Sequence, residues 1–353
     1  MGNTHKTKCP SPDSRKWNQV YESSIGTKHR SGVFSSILSD TTSIICSCNV
    51  QGSRKDQDRF VFIPRFLPDP EMVFCAVCDG HGVEGDVCAE TATREIGKFL
   101  WNGLQETKNC TTETLPLALE QAFDSVQQVF DKEYQIEILE PTLKVKKEIE
   151  ENQSVDLGRL SLPLGSGTTA TVALIVKETA YIANVGDTRA VLCRRDAQGE
   201  IESVDLTKDQ NVASADETEI ERVQQAGADI VGKHLCGDYV DGMLQLTRSL
   251  GDVPLHRSGV VLAKPEVSRA DINESTLFLI VASDGLWDYF TSREACQFVH
   301  DAYQARNLEA DLNDFFLQTS IKLGNEAEKA ATAKGHQVDD VTVMIIAIRK
   351  NLK

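Results

Sequence analysis

Five carboxylate positions sit where short apolar runs of this sequence end or begin. Residues 73–78 run into Asp79-Gly80-His81-Gly82, 277–282 into Ser283-Asp284-Gly285, and 181–185 into Gly186-Asp187. Asp58 stands just before the run 60–63, and Asp339 and Asp340 immediately precede 341–348. A single Asp-Gly is first of all a turn signal. Several at once are different. If these edges converge, the carboxylates crowd, and like charges at close range need compensation. Hard divalent cations provide it, because an all-oxygen shell of carboxylates, a backbone carbonyl and water suits Mg²⁺ or Mn²⁺. Two such ions roughly 4 Å apart would position and acidify a water and stabilise a displaced oxygen. The chemistry suggested is metal-assisted attack by water. Glycine beside three of the carboxylates permits close backbone approach.

The elements that must position these groups are readable from periodicity. The runs 73–78, 171–176, 181–185, 190–193, 277–282 and 341–348 are short, apolar and β-branched, and predict strands buried on at least one face. Residues 86–106, 115–134, 217–226, 292–306 and 312–329 carry apolar residues at three-to-four spacing, which predicts helices. Strands and helices come in groups rather than in strict alternation, favouring an α+β layered fold over a doubly wound sheet. Residues 1–45 are rich in Ser, Thr, Lys and Arg with weak periodicity, and predict a basic, flexible tail ahead of a catalytic domain over 46–350. Residues 144–157 read as a charged surface excursion. The polar, glycine-dotted stretch 207–245 reads as a surface loop or a flap over a site, centred on about 210–245.

Composition narrows the function class. Acidic residues outnumber basic ones by 53 to 37, a net charge of −16, which argues against a nucleic-acid binder. No run approaches the roughly 18–20 apolar residues of a membrane span, and the polar opening residues do not resemble a secretory signal. These points predict a cytoplasmic protein, with a monomer as the default. Of the ten cysteines, Cys75 and Cys78 form a CxxC pair inside an apolar run with no second Cys/His pair at metal spacing. They, with Cys46 and Cys48, are expected to be reduced structural thiols.

Seven short motifs now stand in one order. They are Gln51-Gly-Ser-Arg-Lys-Asp-Gln-Asp-Arg59, Val77-Cys-Asp-Gly-His-Gly82, Gly165-Ser-Gly-Thr-Thr-Ala170, Asn184-Val-Gly-Asp-Thr-Arg-Ala190, Leu246-Thr-Arg-Ser-Leu-Gly-Asp252, Ala282-Ser-Asp-Gly-Leu-Trp-Asp288 and Asp339-Asp-Val-Thr342. In this order the chain resembles the type 2C, metal-dependent (PPM) protein serine/threonine phosphatases. The resemblance implies a four-layer α-β-β-α sandwich, with two central antiparallel sheets flanked by helix pairs. It implies two Mn²⁺ or Mg²⁺ ions and a weaker third metal, with phosphorylated proteins as substrates. Asp79 would bridge the ions, Asp284 and Asp339 would complete one shell, Asp58 and the Gly80 carbonyl the other, and Asp187 would serve the third. His81 would protonate the leaving oxygen, and Arg54 would hold the phosphate.

The chain departs from the family pattern in four places. Arg54 and Asp58 are four apart where five is usual, which brings Lys55 forward as a partner for Arg54. Gln57 stands where some members have Glu, and Asp340 replaces an Asn. Asp209-Gln210-Asn211-Val212 replaces Asp-His-Lys-Pro. Arg189 is expected in a structural ion pair, Trp287 in the core or cleft wall, Asp252 as a turn cap, and Asp288 as a helix cap or surface charge. At the amino terminus Gly2 opens a partial N-myristoylation pattern, with Lys6 where Ser or Thr is wanted and Cys9 as a second acylation candidate. Lipidation with peripheral membrane association and an unmodified tail both stand. Beside the active phosphatase stand two alternatives: a catalytically weak phosphoprotein-binding regulatory relative, and a phosphoesterase acting on small molecules.

Overall fold

The computed structural model describes residues 17, 21, 31–37, 43–51, 56–68, 71–107, 110–135, 165–236, 244–348 and 351–352. Gly2, Cys9, Arg54, Lys55 and the 144–157 segment lie outside these, as do the side chains of Cys46 and Cys48. The strands, in chain order, are β1 Ser31–Ile37, β2 Ser43–Gln51, β3 Arg59–Pro68, β4 Glu71–Cys78, β5 Gly80–His81, β6 Gly167–Thr168, β7 Ala170–Val176 and β8 Thr179–Val185. They continue as β9 Arg189–Arg195, β10 Ile201–Asp205, β11 Asp229–Val231, β12 His234–Cys236, β13 Leu250–Gly251, β14 Glu266–Asp271, β15 Thr276–Ala282 and β16 Val341–Ile348.

Two large sheets form from them, one in the order β1-β2-β16-β15-β9-β10 and one in the order β14-β8-β7-β4-β3, every neighbouring pair antiparallel. The layering follows from period-two alternation in strands buried on both faces. In β4, Met72, Phe74, Ala76 and Cys78 face a core shared with helices Gly85–Thr107 and Thr114–Tyr134. Val73, Cys75 and Val77 face the opposite way, into a core shared with Leu279, Val281, Met344 and Ile346 of the other sheet. The outer face of that sheet, with Phe278, Ile280, Val343 and Ile345, packs on Val299 of helix Ser292–Gln304 and on Phe316 and Leu323 of helix Leu312–Ala333. Three stacked cores make four layers, α-β-β-α. Cys75 and Cys78 fall in different cores, so the pair cannot share an ion, and burial pushes both thiols well up. Among the described residues no helix is long and apolar enough to cross a membrane.

The boundary placed at residue 45 requires correction. β1 pairs along its length with β2, from Ser31 opposite Asn49 to Ile37 opposite Ser43, so the larger sheet begins inside the expected tail. Earlier still, Trp17 and Tyr21 are 1% and 7% exposed and belong to the first helical core. The Trp17 ring lies 6.1 Å from Phe66 and 6.0 Å from Trp101, and a Cβ on Gly97 would come within 2.6 Å of it. Two aromatics four residues apart in a polar stretch give periodicity analysis too little to detect, yet they bury a large apolar area. Trp17→Ala is therefore expected to destabilise the protein by about 3–5 kcal/mol in denaturant unfolding. A change of a few tenths would mean that this contact contributes nothing to the core.

Candidate functional site

The motifs converge because the two sheets bring their ends to one edge. An open cleft of about 440 Å³ there is lined by Asp79, Gly80, His81, Asp187, Asp284 and Asp339, together with Gln57, Asp209, Asp288 and Lys233. Residues 211, 213–214 and 244–246 of the glycine-dotted stretch also line it. Asp58 is not in the lining. It is buried behind the cleft at 2% exposure, and its Oδ2 accepts a 2.8 Å hydrogen bond from the Ser283 hydroxyl. Among the sequence-predicted residues described, the structure thus unites all the carboxylates with His81 and Gly80.

Neighbouring motifs hold the carboxylate segments in place. The Asp79 N–H donates to Thr169 Oγ1 at 3.0 Å, and its carbonyl accepts from the Thr169 N–H at 2.8 Å and the Thr168 hydroxyl at 2.9 Å. This is the work of the Gly165–Ala170 motif. Gly80 is packed so closely that a Cβ would stand 2.1 Å from the Gly85 carbonyl oxygen. A Cβ on Gly285 would likewise stand 2.1 Å from the Asp340 carbonyl oxygen, which pins the Asp284 turn against Asp339 and Asp340 where they lead into strand β16. Asp340 accepts from the Gln57 N–H at 2.8 Å, joining that strand to the Asp58 segment. The departures from the family pattern thus have local roles. Gln57 Nε2 donates to the Gly82 carbonyl at 2.8 Å, and Gln210 Oε1 accepts from the Gly186 N–H at 3.0 Å. Asn211 Nδ2 donates to Asp187 Oδ2 at 2.9 Å. Arg189 makes the expected ion pair, donating to both oxygens of Asp209 at 2.9 and 2.6 Å while its guanidinium lies 5.1 Å from the Trp287 ring centre.

The electrostatics are those of a crowded anionic site. Burial, reinforced by Asp58, Asp284, Asp339 and Asp187, holds Asp79 well above the ordinary carboxylate range. Burial with the charges of Asp187 and Asp339 does the same to Asp284. Burial pushes Asp58 up to about 7 and Asp187 to about 6, and raises Asp339 as well. Asp79 and Asp284 are within hydrogen-bonding reach of each other, and Oδ1 of Asp58 and Oδ1 of Asp284 are buried without a hydrogen-bond partner. As they stand, no three His, Cys, Asp or Glu side chains among the described residues close into a coordination shell. The donor set is nonetheless all oxygen, with unpartnered buried atoms and several negative charges to offset. It fits hard divalent cations.

One contact of the site was not foreseen from the sequence. Asp252, expected to cap a turn, makes no side-chain cap to the helix that follows it. Its Oδ2 instead lies 2.7 Å from His81 Nε2 and accepts from the Ser249 hydroxyl at 2.6 Å. Burial alone would lower His81, but the Asp252 carboxylate outweighs it and holds the imidazole above its ordinary value.

A family model described as Protein phosphatase 2C matches residues 47–328. Protein phosphatase 1L of Bos taurus is 31% identical over 308 residues, covering 86% of this chain and 72% of its own. Probable protein phosphatase 2C 35 of Arabidopsis thaliana is 27% identical over 323 residues, covering 84% of this chain and 80% of its own. A crystal structure of serine-threonine phosphatase 2C from Toxoplasma gondii superposes with a TM-score of 0.65 at 20% identity, over 90% of this chain and 98% of that one. At that identity the structure speaks for the fold.

Proposed function

The chain belongs to the protein phosphatase 2C family, and from that premise we propose a metal-dependent protein serine/threonine phosphatase that hydrolyses phosphoserine and phosphothreonine with water. The observation that carries this reading is the gathering of Asp79, Asp187, Asp284 and Asp339 on one cleft with Asp58 buried behind it. Asp79, Asp284 and Asp339 would hold one Mn²⁺ or Mg²⁺ ion. Asp58, Asp79 and the Gly80 carbonyl would hold a second, and Asp187 with Asp284 a weaker third. When bound, such ions offset the carboxylate charge and acidify water at neutral pH.

The chain's own residues do the rest. Thr168 and Thr169 fix the Asp79 backbone, so that its carboxylate enters the cleft from a rigid strand end. His81, on the cleft wall, supplies a proton to the serine or threonine oxygen as its bond to phosphorus breaks. Arg54 is assigned the phosphate oxygens, for which a guanidinium fork is suited.

The test is phosphate release from a phosphothreonine peptide with Mn²⁺ or Mg²⁺, and again with excess chelator. Turnover is expected with either ion and is expected to vanish in chelator. A folded protein inactive with both ions, yet binding the phosphopeptide, would favour the regulatory alternative.

A further inference from the structure

His81 and Asp252 are brought together by strand register rather than by sequence proximity. In the short ladder β13-β6-β5, His81 pairs with Gly167, and Gly167 pairs with Gly251. Asp252, the next residue, reaches back across Gly167 to the imidazole. The crossing needs a glycine, because a Cβ at Gly167 would lie 2.3 Å from Asp252 Oδ2. Gly251 is fixed from behind by Gln127, which donates to its carbonyl and accepts from its N–H, both at 3.0 Å.

Asp252 has φ 38° and ψ 41°, in the left-handed region that few residues other than Gly, Asn and Asp enter. It stands at the N-cap position of helix Val253–Ser258, where an Asp would ordinarily bond the first-turn N–H groups. Its carboxylate is withheld from that role, is 1% exposed, and is directed at one imidazole nitrogen.

We propose that Asp252 is the positioning residue for His81: by taking the Nε2 proton into a hydrogen bond it fixes the ring's tautomer and orientation, and makes Nδ1 the nitrogen that serves the cleft. This rests on the reading of His81 as the proton donor. In the step it supports, the oxygen of the attacking water bonds to phosphorus and gives up its proton to solvent, while the bond from phosphorus to the substrate oxygen breaks and its electron pair stays on that oxygen. The proton on Nδ1 passes to the oxygen, and the ring regains one from solvent. A carboxylate on the far nitrogen holds the ring throughout, as the orienting member of a catalytic pair does.

The test compares Asp252→Asn, His81→Ala and the core-truncation control Val299→Ala in the full chain with Mn²⁺. Asparagine tolerates the left-handed conformation and keeps an acceptor oxygen, so the turn should fold. Turnover is read on a phosphothreonine peptide, whose leaving oxygen needs a proton, and on nitrophenyl phosphate, whose leaving group does not. Asp252→Asn and His81→Ala are each expected to lose about 10²-fold on the peptide and only severalfold on the aryl ester. Val299→Ala is expected to lower the melting temperature without separating the two substrates. Ring ¹⁵N spectra of the metal-free protein at fixed pH are expected to show the Nε2–H tautomer in the wild type and a mixture in Asp252→Asn. If His81→Ala separates the substrates but Asp252→Asn neither does so nor disturbs the tautomer, Asp252 is only a buttress of the turn and the proposal is overturned. If His81→Ala does not separate them, the proton-donor reading itself falls.

Discussion

Asp79→Asn is expected to reduce phosphate release by at least about 10³-fold, some 4 kcal/mol of barrier, while the metal-free variant melts higher than the wild type. The two halves of this result have one cause. Burial makes the charge of Asp79 costly, and the field of Asp58, Asp284, Asp339 and Asp187 adds to that cost. Replacing the carboxylate by an amide removes that charge at nearly constant volume, and the new N–H donor can serve Asp284, already within reach. The main-chain bonds from Thr168 and Thr169 do not involve the side chain, so the strand end should keep its place. What is lost is a negative oxygen that would hold cations at the centre of the cluster. Parallel phosphate-release and calorimetric measurements decide the matter. A folded variant with wild-type turnover would remove Asp79 from the chemistry. One that melts well below the wild type would make it a structural residue instead.

Such a site is legible in sequence where its chemistry is local. An apolar run that ends in an Asp beside a Gly declares both the strand and the edge on which its carboxylate sits, and three of the five positions were of this kind. The helices were legible for the same reason: a repeat of three to four along a dozen or more residues is hard to produce by accident. Groups whose role depends on register were not legible. Asp252 follows Leu-Gly and precedes Val-Pro, which reads as a turn and a helix start. Only the pairing of β13 and β5 on either side of β6 makes it a partner of a histidine 171 positions away.

Trp17 was hidden for the opposite reason. Its burial depends on Phe66, Gly97 and Trp101, and nothing in its own polar neighbourhood announces them. Asp209-Gln210-Asn211-Val212 stands in place of Asp-His-Lys-Pro. There Asn211 steadies Asp187 and Gln210 steadies Gly186.

The same crowding predicts an unusual pH dependence of stability. An acid whose folded pKa is raised keeps its proton in the native state after the unfolded chain has lost it. Unfolding then releases protons, and stability falls as pH rises between the two values. For Asp58 the window runs from 3.8 to about 7, and for Asp187 from 3.8 to about 6. Asp79, Asp284 and Asp339 act in the same direction.

In chelator, the melting temperature should therefore fall steadily from about pH 4 to pH 7. The net charge of −16 also favours expansion as pH rises, so the slope alone does not identify its source. Two comparisons do. Mn²⁺ or Mg²⁺ at matched ionic strength should restore stability at pH 7 far more than at pH 4, because cations then take the place of protons and bind only the folded site. Asp58→Asn, which can keep the acceptor oxygen facing Ser283, should flatten part of the slope in chelator. General self-repulsion would respond to salt of any kind and only slightly to one buried substitution. A melting temperature that climbs through this window in chelator, or cations that stabilise equally at both pH values, would mean that these carboxylates ionise freely and do not form the crowded site on which the catalytic reading depends.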